Sequence, residues 1–80
     1  MSGIKEIVTI PEYKGIKLGS LFSVPAKYFG KDCFSLYKVI GFNPDEDLVF
    51  ANKRNKRTLK IEGHSLLLEG FKYSDVVKCL

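Results

Sequence analysis

Residues 34–62 read FSLYKVIGFNPDEDLVFANKRNKRTLKIE, and this stretch decides the fold. Residues 34–42 are apolar on both parities, with Phe34, Leu36, Ile40 and Phe42 on one and Tyr37 and Val39 on the other. That is the pattern of a central, strongly curved strand with apolar neighbours on both faces. Asn43-Pro44-Asp45 then puts a proline at the second position of a tight turn. Leu48, Val49, Phe50 and Ala51 form the next strand. Asn52-Lys53-Arg54-Asn55-Lys56-Arg57 follows as the tip of a β-hairpin, with Asn55 suited to positive φ. Beyond it Leu59 and Ile61 are expected to point inward and Thr58, Lys60 and Glu62 outward, the cleanest alternation in the chain.

Working outward, Ile16, Leu18, Phe22 and Val24 share one parity against Lys17 and Ser23. This predicts a half-buried strand bent at Gly19-Ser20. Residues 7–10 read as a further strand ending at Pro11, and Leu66-Leu67-Leu68 as a short fifth strand. Helical signal is confined to two short turns. One spans residues 25–29, with Ser23 near its N-cap and Gly30 as its stop; the other spans 74–79, capped by Ser74. Five to six short strands in 80 residues cannot bury a flat sheet, so the sheet must curl into a small all-β barrel. A core strand, a long excursion over residues 24–33, then strands joined by hairpins and a short closing element is the layout of an SH3-like barrel. An OB-type barrel is the runner-up. The whole chain is one domain, without linker or repeat.

Particular segments resemble the Tudor and KOW class of SH3-like barrels. The first is Lys17-Leu-Gly-Ser-Leu-Phe-Ser-Val, which resembles their first strand, where a glycine precedes the strand. Tyr37-Lys-Val-Ile-Gly-Phe followed by Asp47-Leu-Val-Phe-Ala is similar to their second and third strands. Gly30-Lys31-Asp32-Cys33 matches the first half of the Gly-Lys-x-Gly context of KOW domains. The resemblance covers residues 16–69. It implies nucleic-acid or peptide binding without catalysis.

The formal net charge is +4, and Lys53, Arg54, Lys56 and Arg57 account for all of it, leaving nine basic against nine acidic residues. Arg54 and Arg57 are the only arginines, and arginine suits bidentate contact with phosphate. The chain has no stretch near the ~18 apolar residues of a membrane span. The opening Met-Ser-Gly-Ile-Lys-Glu has no apolar h-region, so no secretory signal is expected. Cys33 and Cys79 are isolated and fit neither a disulfide framework nor zinc spacing; they read as reduced thiols in a cytoplasmic protein.

The first candidate site is the basic tip. Lys53, Arg54, Lys56 and Arg57 would engage phosphates, with Asn52 and Asn55 as hydrogen-bond partners and Lys60 and Lys38 extending the track. The competing readings are a solvated tip that keeps an edge from aggregating and a nuclear-import patch. The second is an aromatic pocket from Tyr13, Tyr28, Phe29 and Tyr37, with Phe34, able to stack bases or hold a methylated cation. Against it, Phe34 and Tyr37 also fit a core, as Phe22, Phe42 and Phe50 do. Asp45-Glu46-Asp47 reads as a solvated acidic turn opposing the basic tip, and His64 as a turn residue. No catalytic residue, metal site, cofactor, membrane contact or small-molecule substrate is expected. The leading expectation is a sequence-nonspecific binding module for DNA or RNA. The alternative is a small adaptor or inhibitor, of the kind a virus or plasmid encodes, docking on an acidic surface of a nucleic-acid-processing protein.

Overall fold

The computed structural model describes residues 7–61 and 68–80. Among these residues, in order, are the strands β1 (Glu12–Tyr13), β2 (Ile16–Lys17), β3 (Leu21–Tyr28), β4 (Lys31–Asn43), β5 (Leu48–Arg54) and β6 (Glu69–Lys72) and the helix α1 (Tyr73–Lys78). β1 and β2 pair as a small hairpin, and the other four strands form an antiparallel sheet in the order β3-β4-β5-β6. The chain is therefore mostly β, with a curled sheet and one short helix.

The curl can be read from two rings. Phe22 on β3 and Phe71 on β6 lie on the two edge strands, yet their rings meet edge-on at 5.3 Å. In a flat sheet three strand spacings would separate them by about 14 Å. Tyr37 completes the cluster, stacked on Phe22 at 5.7 Å and edge-on to Phe71 at 5.0 Å. Val76 of α1 is buried in the same core with Ile16, Val39, Phe42, Val49 and Ala51.

A β-bulge explains the apolar character of both parities in β4. Val39 pairs with Ala51 and Gly41 with Phe50, so Ile40 is the extra residue. An extra residue exchanges the faces of everything beyond it. Tyr37 and Val39 before the bulge, and Phe42 after it, therefore all reach the core. Phe34, on the same parity as Phe42, is left 47% exposed. Gly41 is needed here because a Cβ would collide with Cγ2 of Ile7. Expected strand 7–10 reduces to a single bridge, Val8 with Phe42, closed by two backbone hydrogen bonds of 2.8 and 2.9 Å.

Several expectations need correction. The excursion over 24–33, with its helical turn at 25–29, is instead a hairpin: β3 runs through Pro25 to Tyr28 and turns on Phe29-Gly30, both at positive φ, into β4. Pro25 fits because β3 is an edge strand, where one side of the backbone needs no ladder donor. Residues 58–61 are not a strand; Ile61 makes one bridge to Arg54, and Leu59 and Ile61 are exposed. The terminal turn is real, but it begins at Tyr73 with Lys72 at the cap and no side-chain cap bond, so Ser74 lies inside it. The bend at Gly19-Ser20 separates β2 from β3. Leu66, Leu67 and His64 lie outside the described residues.

Candidate functional site

β4 pairs with β3 from Lys31 onward but with β5 only from Leu36 onward. The β3–β4 hairpin thus extends past the end of β5 as a two-stranded arm. The end of β5, with Lys53 and Arg54, and the loop that leaves it, with Lys56 and Arg57, carry the cationic run alongside this arm. Between them lies a groove of about 510 Å³. Ala26, Tyr28, Phe34 and Leu36 of the arm face it on one side, and Lys53, Arg54, Lys56 and Arg57 on the other. The ammonium of Lys56 sits 4.1 Å from the Phe34 ring centroid.

The loop is held by its own hydrogen bonds. The Asn55 side-chain oxygen accepts the backbone N–H of Arg57 at 2.8 Å and of Thr58 at 3.0 Å. The Asn55 backbone N–H donates to Lys60 and its carbonyl accepts from Leu59, each at 2.9 Å. This is an Asx-type turn, in which a short polar side chain replaces backbone partners. The positive φ expected of Asn55 falls instead on Leu59.

Arg54 is a brace. Its Nε donates to the side-chain oxygen of Asn52 at 2.9 Å and its guanidinium to the Leu59 carbonyl at 3.2 Å. Asn52 is buried on β5, so it supports the arginine and is not a surface partner for phosphate. Lys53, Lys56, Arg57 and Lys60 are exposed, and Lys38 is half-buried opposite Asn52. The cationic tip is therefore a folded loop with four outward cations behind one bracing arginine.

The expected aromatic pocket divides. Tyr28 and Phe29 pack edge-on at 4.4 Å at the end of the arm, 68% and 86% exposed. Tyr37 belongs to the core, and its hydroxyl donates to Glu69 at 3.0 Å. Burial, reinforced by that carboxylate, holds the Tyr37 hydroxyl above its usual pKa. Tyr13 lies elsewhere, packed against Phe42 and Tyr73. Phe34, read both as pocket and as core, joins the groove.

Tyr13 belongs instead to a clasp around the acidic turn. Its hydroxyl donates to Asp47, and Lys14 donates to the same oxygen at 2.9 Å. The Asp47 carbonyl accepts the Tyr73 N–H at 3.0 Å, and the Tyr73 hydroxyl donates to the Lys14 carbonyl at 3.0 Å. The clasp ties the β1–β2 hairpin, the β4–β5 turn and α1 together. Donation from Tyr13, then from Lys14, holds the Asp47 carboxyl below the usual carboxylate range. The Tyr13 hydroxyl is correspondingly raised, first by that carboxylate and then by burial. A lowered carboxyl contributes stability that is full above its unfolded pKa, about 4, and lost as pH falls through the folded value. Asp47→Asn keeps a residue tolerant of the positive φ at this position. Melting curves of wild type and Asp47→Asn should differ by a constant amount at neutral pH and converge in acid. Parallel curves down to the acid limb would show that the clasp contributes nothing through this charge.

The acidic turn and the basic loop occupy opposite ends of β5, about 20 Å apart for a strand of this length. The protein is thus charge-polarised along one strand. Among the described residues no group of three or more His, Cys, Asp or Glu is placed to hold a metal ion. Both described cysteines are free. Among the described residues no helix is long and apolar enough to cross a membrane. Comparison with protein-family models, curated proteins and solved structures returned no match.

Proposed function

We propose that this protein is a non-enzymatic binding module that holds nucleic acid, without sequence preference, in the groove between the β3–β4 arm and the basic loop. One observation carries the reading: the cations responsible for the whole net charge converge on a concave surface whose other wall presents Tyr28, Phe34, Ala26 and Leu36, with Lys27 among them. Lys53, Lys56, Arg57 and Lys60 contact phosphates, while Arg54 keeps the loop in shape. Phosphate contacts position the polymer and carry no sequence information. The curled sheet with a short closing helix supports an SH3-like barrel of the Tudor and KOW type as the scaffold. Two free thiols suit work in the cytoplasm.

The same cations would also meet the carboxylates of an acidic protein partner. The apolar wall favours nucleic acid, because a carboxylate-rich surface offers that wall no flat apolar partner. The experiment is reversal of two exposed groove cations of the loop, Lys56→Glu with Arg57→Glu, assayed for retention on DNA and RNA with nuclease-treated controls. Retention that survives nuclease would move the reading to the protein partner.

A further inference from the structure

We infer that the polymer this groove takes is single-stranded, with its bases stacked on the aromatic rings of the arm; the inference rests on the nucleic-acid reading above and narrows it. Three rings are involved: Tyr28 and Phe29 at the end of the arm and Phe34 on the groove wall. Together with the cations they separate the site into two chemistries a few ångströms apart. Lys56 marks the junction, since its ammonium lies over the Phe34 ring. A nucleotide has the same division, with a flat apolar base on one side and an anionic phosphate on the other. A duplex hides its base faces inside the stack and presents only phosphates and groove edges. The aromatic wall would then meet nothing suited to it. Unstacked bases present their faces, and every base has one, so stacking needs no sequence preference.

Phe29 supplies a second, independent observation. It occupies the first position of a two-residue hairpin turn at φ 51°, with Gly30 following at φ 77°. Such turns favour Asn, Asp or Gly there, and a bulky residue at positive φ is strained. The ring recovers little by burial, being 86% exposed and packed only edge-on to Tyr28. A residue that strains the backbone and leaves its ring in water is better suited to an external partner than to the fold. Tyr28 beside it is also mostly exposed and packs edge-on to it, leaving ring faces open. Lys27 and Lys31 flank the two rings on the arm, and Lys27 lines the groove beside Tyr28, so a phosphate next to a base stacked here also meets a cation of the arm.

The test measures affinity of the full chain for oligothymidylate, oligouridylate and a short duplex at one low salt concentration. The variants are Phe29→Asn with Tyr28→Thr, which removes both rings while retaining turn and strand preferences, and Phe29→Trp, which enlarges a ring. Wild type should prefer one or both single strands to the duplex. The double variant should lose about 5- to 150-fold per ring on the single strand and stay within about twofold on the duplex. Phe29→Trp should bind the single strand more tightly, with its fluorescence quenched on binding. The chain has no other tryptophan, so that signal is specific. Equal affinity for duplex and single strand, unchanged by ring removal, would overturn the inference and leave the nucleic-acid reading intact. No binding to any of the three would overturn both.

Discussion

Reversal of Lys56 and Arg57 to glutamate is expected to cost about 100-fold in affinity for nucleic acid near 0.1 M salt and to leave the melting transition unchanged. Both side chains are exposed, and the loop relies on the backbone N–H of Arg57, not its guanidinium. Each reversal removes two charges, taking the formal net charge from +4 to zero. Four phosphate contacts give a salt slope of roughly −2.8 on a single strand and −3.6 on a duplex, or about 50- to 150-fold between 50 and 200 mM. Losing two contacts should roughly halve that slope, and two new carboxylates add repulsion. Arg54 is the wrong residue for this test despite belonging to the same run. Its substitution would release Asn52 and the Leu59 carbonyl together, and a binding loss would then report a collapsed loop. Unchanged affinity at low salt in the Lys56/Arg57 variant would place the anion site elsewhere.

Phe42→Ala is expected to remove most of the protein's stability at 25 °C, whereas Phe34→Ala should cost less than about 1 kcal/mol. Phe42 is fully buried, packs on the Tyr13 ring and makes the backbone bridge to Val8. Truncating such a phenylalanine costs about 3–5 kcal/mol. A domain of this size holds only about that much in total. Phe34 is eight positions earlier on the same strand and the same parity, but half-exposed, with the Lys56 ammonium as its partner. The difference comes entirely from the bulge at Ile40. Urea titrations of the two variants read it directly, and equal costs would mean that the bulge does not exchange the faces.

That bulge also marks how far the sequence could be read. Apolar residues on both parities of 34–42 correctly indicated a central, curved strand, and Pro44 placed the β4–β5 turn. Phe22, Phe42 and Phe50 are buried as their apolar surroundings predicted. Periodicity could not locate the extra residue, so it could not say which of Phe34 and Tyr37 lines the core; Tyr37 does, with Val39. The β3–β4 arm was hidden for two reasons. Pro25 argues against a strand unless that strand is an edge, and Phe29-Gly30 is an unusual choice for a two-residue hairpin turn. The alternation over 58–62 misled in the other direction: Asn55 folds the chain into a hydrogen-bonded loop, and Leu59 adopts positive φ where a strand would need extended backbone. The basic tip itself was plain from charge alone. Its partner wall was not, because Tyr28 and Phe34 reach the groove only through the register of an arm that the sequence did not announce.

The most direct test of the central claim is a heteronuclear amide spectrum of the full chain titrated with oligothymidylate at low salt. Shifts are expected to concentrate in the arm, residues 26–36, and along residues 53–60, with the acidic turn at 44–47 undisturbed. Shifts confined to the slot between Phe22, Phe71 and α1, or an unchanged spectrum, would contradict it.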